Sequence, residues 1–108
     1  MASVNGDTDI SVASTFEKVG MIQFRAGNLE SGRKALEKAV EIYRKGDGNE
    51  SKLITPLFII GNIHKVLQQE KKAKRIWKEA YELGQKDGVT IDPKVQQILT
   101  ALLQTNEE

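Results

Sequence analysis

The chain has 108 residues, 39% hydrophobic and 29% charged, and sixteen basic against fifteen acidic side chains leave a formal net charge of +1. That length suits one domain, and so balanced a charge exerts no general pull toward nucleic acid or an anionic membrane. Having no cysteine and one histidine, a single chain cannot form disulfides, a thiol nucleophile, a thiolate metal site or a histidine metal cluster.

No stretch approaches the ~18 consecutive apolar residues of a membrane span. The start, Met1 to Asp9, has neither the basic opening nor the apolar core of a secretory signal. Residues 1–10 therefore read as a disordered lead-in. The cytoplasm or another reducing compartment is the expected setting, unless the chain is a fragment whose targeting signals lie elsewhere.

From Ile10 the apolar residues recur at helical spacing. The first predicted helix carries Val12, Phe16, Val19, Gly20 and Ile22 along one packed side and stops at Ala26-Gly27-Asn28, where glycine accepts a left-handed backbone. A second helix runs from Leu29 to about Lys45, with Leu29, Gly32, Leu36, Ala39, Val40 and Tyr43 as its buried stripe and Ala35 and Ile42 beside it. Gly46 to Ser51 is a loop by composition. A third helix is predicted from near Lys52 to Leu67. Its regular part begins close to Thr55, because Pro56 is tolerated in a first turn. The fourth spans Glu70 to Lys86, with Ala73, Ile76, Trp77, Ala80, Tyr81 and Leu83 inward. Asp92 as N-cap and Pro93 at the first helical position open a fifth helix that ends near Gln104. Strand-like alternation is absent, so the fold class is all-α.

Helix pairs joined by short turns invite a search for an internal period. An offset of 41 residues, from Gly20 to Gly61, also links Phe16 with Leu57, Val19 with Ile60, Gly32 with Ala73, Leu36 with Trp77, Ala39 with Ala80, and Ile42 with Leu83. Large residues match large and small match small. A small residue in one helix lets its partner's backbone approach, and bulky neighbours fill the space on either side.

These residues resemble the tetratricopeptide (TPR) family. Phe16-Glu17-Lys18-Val19-Gly20, the turn Gly27-Asn28-Leu29, Leu36 to Ile42, and Ala73 to Leu83 match its pattern of bulky, small and turn positions. The covered span is about Thr15 to Leu83. Gly32 stands where the family usually has alanine, and Gln68 with Glu70 replaces its glycine turn. The period exceeds the common ~34 residues and is similar to the longer repeats of the kinesin-light-chain type. The resemblance implies antiparallel helix pairs stacked as a short TPR-like superhelix. One domain is expected over 11–105, with repeats at about 12–45 and 53–87 and a capping helix at about 92–105.

The resemblance also implies a protein-binding adaptor, and the residues themselves lead to the expectation of no enzymatic role, no cofactor or metal, no nucleic-acid partner and no membrane insertion. Its concave groove would receive a peptide or helix of another protein. Position by position, that groove would hold Glu17, Met21, Phe24 and Arg25, then Phe58, Asn62, Lys65 and Val66, then Gln96 and Leu99. Phe24 and Phe58, off the predicted packing stripe, are its candidate anchors. Glu17 and Met21 stand where carboxylate-clamping members need cations, which argues against binding of chaperone tails. The alternative is a structural or oligomerising module, or a piece of a longer array, whose groove is filled by self-association. About three repeats are usually needed for independent stability.

Other features read as structure. Lys71, Lys72, Lys74, Arg75 and Lys78, interleaved with Glu79 and Glu82, look like a solvated helix face. His64, on an apolar face with no second His, Ser or Cys nearby, and Trp77, matched to Leu36, look like packed residues. Gly46-Asp47-Gly48-Asn49 lacks the Gly-Lys-Ser/Thr of a phosphate loop.

Overall fold

The structure, a computed structural model, describes residues 9–104. Five helices run through them: α1 (Ile10–Arg25), α2 (Leu29–Lys45), α3 (Glu50–Val66), α4 (Glu70–Gly84) and α5 (Pro93–Gln104). There is no strand among the described residues. Two compact units meet in the chain at Asn49 and Glu50. In the first, α1 packs on α2; in the second, α3 packs on α4, and α5 packs mainly on α4. Most of the expected lead-in lies outside the described residues. Asp9 already caps α1, its carboxylate accepting from the Ser11 N–H at 2.9 Å.

The turn closing α1 is a Schellman motif. Gly27 takes φ +89°, Asn28 N–H donates to Gln23 O at 2.8 Å, and Gly27 N–H donates to Phe24 O at 3.0 Å. The same motif returns 41 residues later. Gln69 N–H donates to His64 O at 2.8 Å and Gln68 N–H to Lys65 O at 2.9 Å. Gln68 takes φ +63°, the position of Gly27. The turn that looked different in sequence is thus the same turn, built on a residue that tolerates it less well. The side chains across it repeat as well. Asn28 Nδ2 donates to Gln23 Oε1 at 2.7 Å, and His64 Nδ1 lies 2.7 Å from Gln69 Oε1.

The close approach within each pair repeats too. A Cβ on Gly20 would stand 2.5 Å from Leu36 Cγ, and one on Gly61 would stand 2.3 Å from Trp77 Nε1. Gly32 needs its missing side chain for the same reason, since a Cβ there would lie 3.1 Å from Phe24 N. Trp77 is buried, as expected, and donates its indole N–H to Phe58 O at 3.3 Å.

Three sequence expectations are corrected. α3 begins at Glu50, so Pro56 sits inside the helix and not in its first turn. The ring removes the hydrogen bond to Lys52 O, but it is wholly buried and adds to the core. α4 stops at Gly84, before Lys86, and the returning chain lays Ile91 against Gly84, where a Cβ would lie 2.8 Å from Ile91 Cδ1. On α1, Val19 and Ile22 are not packed: they are 43% and 60% exposed. α5 starts as predicted, with Asp92 Oδ1 accepting from Lys94 N–H at 2.9 Å. The loop before it is tied back to the start of α3 by Thr90 N–H donating to Ser51 Oγ at 3.4 Å.

Candidate functional site: an open apolar face on α1

Val12, Phe16, Val19 and Ile22 fall at successive turns of α1 and form one stripe. With Ser11, Thr15 and Ala35 of α2, the first three line a groove of about 430 Å³ on the first unit. Val12 and Phe16 are half-buried, and Val19 and Ile22 open to solvent. Val19 and Ile22 thus extend the half-buried apolar pair into exposed apolar surface on the same side of α1.

The second unit supplies the comparison. Forty-one residues on, the same positions are Leu53, Leu57, Ile60 and Ile63 of α3, and each is at most 7% exposed. One stripe, carried twice, is core in α3 and open in α1.

The residues expected to line a concave groove are placed differently. Glu17 faces α2, where Tyr43 O–H donates to its Oε1 at 2.9 Å. Burial raises the Glu17 carboxyl against the opposing effect of that bond. The Tyr43 hydroxyl is pushed up to about 12, by burial first and by Glu17 second. Phe24 runs beside the α1–α2 crossing at Gly32 and is half-buried, as are Met21 and Gln23. Arg25 is exposed.

In the second unit, Phe58 and Asn62 are half-buried and Val66 is 57% exposed. Lys65 pairs with Glu70, whose carboxyl that bond lowers. Leu99 is wholly buried, so it belongs to the core made by α5 and offers no surface. Gln96 is half-buried, and its Oε1 has no hydrogen-bond partner among the described residues. Phe24 and Phe58, the expected anchors, are thus half-buried, while Val19 and Ile22, expected to pack, are exposed.

No protein-family model, curated protein or solved structure matches the chain. Among the described residues there is no group of His, Cys, Asp and Glu able to hold a metal ion. None of the described helices is long and apolar enough to cross a membrane.

Proposed function

We propose that the chain is a TPR-like protein-interaction module that binds an apolar peptide or amphipathic helix of a partner protein along α1. The observation that carries this reading is the stripe Val12, Phe16, Val19 and Ile22, half-buried at its first two residues and exposed at its last two, although its copy in α3 is buried throughout. Such a stripe offers a helical partner its own i, i+4, i+7 contacts, the geometry of helix-in-groove recognition. The period of 41, the paired turns and the matched glycine crossings support a repeat architecture of the TPR kind.

Self-association through the same stripe is the second reading, favoured by a repeat number below the ~3 usually needed for stability. Affinity capture with mass spectrometry, followed by titration of the recovered protein, tests the first. Sedimentation over a range of concentrations tests the second. A chain that stays monomeric and binds a recovered partner supports the adaptor. A chain that dimerises, and whose dimer is dispersed by Ile22→Ser, supports self-association.

A further inference from the structure

The two hairpins also differ in the charge of one helix face. On α2, Glu30, Arg33, Lys34 and Glu37 lie on one side, and Arg33 bridges both acids, with its Nη1 3.0 Å from Glu37 Oε2. Its guanidinium is held charged by Glu30 first and Glu37 second. The same positions on α4 are Lys71, Lys74, Arg75 and Lys78. Both acids of the self-paired face have become lysines.

That exchange works against the helix. Like charges at i, i+3 and i+4 repel one another, and cations near a helix N-terminus oppose the macrodipole. Lys74 is half-buried in a crevice with Glu70, Trp77 and Leu102 and shares the field of Glu70, so it is set apart from the exposed cations. Lys71, Lys72, Arg75 and Lys78 are exposed and form no ion pair with a described residue. A stable copy of this face exists in the same chain, so stability does not explain its replacement. Local rules broken without structural gain mark functional surfaces.

We propose that the exposed stripe Lys71, Arg75 and Lys78 docks an acidic helical segment of a protein partner. The stripe spans about 10 Å along α4, two turns of helix, and matches glutamates spaced i, i+4 and i+7 on a facing helix. The exposed Glu82 closes its C-terminal end. It would repel a continuing phosphate backbone but can pair with a base that follows the acids in a protein segment. The stripe is separate from the α1 face, and the inference does not depend on that reading.

The test uses a fluorescent helical peptide with glutamate at those three positions, titrated against the full chain by anisotropy. Lys71→Glu with Lys78→Glu restores the α2 pattern. This variant should melt no lower than the parent yet bind about tenfold more weakly or worse, since like charges now face each other. Lys71→Ala with Lys78→Ala should also weaken binding, and serves if the glutamate variant does not fold. Lys86→Glu with Lys94→Glu, off the stripe, should bind as the parent does. No saturable binding by the parent, equal loss in the off-stripe variant, or tighter binding of a single-stranded oligonucleotide of matched charge would overturn the proposal.

Discussion

Gln68 does the work of a glycine: it holds φ +63° at the position where the first turn has Gly27. A left-handed backbone costs a residue with a Cβ roughly 1 kcal/mol. Gln68→Gly should therefore stabilise the second unit by about that amount, and Gly27→Ala should destabilise the first by about as much. Urea titrations of both variants check the pair, and a loss of stability in Gln68→Gly would contradict the turn assignment. Tyr43 makes a second prediction. Burial and Glu17 push its hydroxyl up from the usual 10.0 to about 12, so the folded state holds the proton more firmly than the unfolded chain. The resulting stability is complete below pH ~10 and is lost progressively as pH rises toward ~12. Tyr43→Phe should flatten that part of the stability profile, and an unchanged slope in the variant would place the cause elsewhere.

Each hairpin depends on one helix coming close to its partner at a glycine. Gly20→Ala and Gly61→Ala should each destabilise the chain by about 1–3 kcal/mol, because the added methyl meets Leu36 or Trp77 inside contact distance. Thermal melts with unchanged midpoints would show the crossings to be looser than described. These crossings were readable in advance, since Gly20 with Leu36 and Gly61 with Trp77 share one offset and opposite sizes. The helix order and the capping of α5 by Asp92 were readable for similar reasons, because capping and periodicity are local. The second turn was not, because glutamine carries no signal for a left-handed backbone. Nor was the helical Pro56, whose cost is offset by burial that only the fold reveals. The openness of α1 escaped as well: an amphipathic stripe has the same spacing whether its own chain or a partner covers it. Leu99 failed in the other direction, since a surface position was expected and α5 turns it into core. Leu99→Ala should cost about 2–5 kcal/mol, and denaturant unfolding will show whether α5 is held that firmly.

At the scale of the whole chain, two copies of one hairpin carry two different surfaces. The first leaves its apolar stripe open, and the second exchanges a self-paired charged face for a cationic one. A repeat that kept both copies equal would be explained by folding alone. The differences between the copies are what point to binding. The most direct test compares equivalent substitutions in the two copies: Val19→Ser with Ile22→Ser, and Ile60→Ser with Ile63→Ser. Unfolding free energy is measured on both proteins, and affinity for a captured partner on the first. The α1 variant should stay within about 0.5 kcal/mol of the parent in stability and lose about 2 kcal/mol or more of binding, while the α3 variant unfolds. Equal destabilisation by both pairs, or an α1 variant that binds its partner as the parent does, would contradict the account.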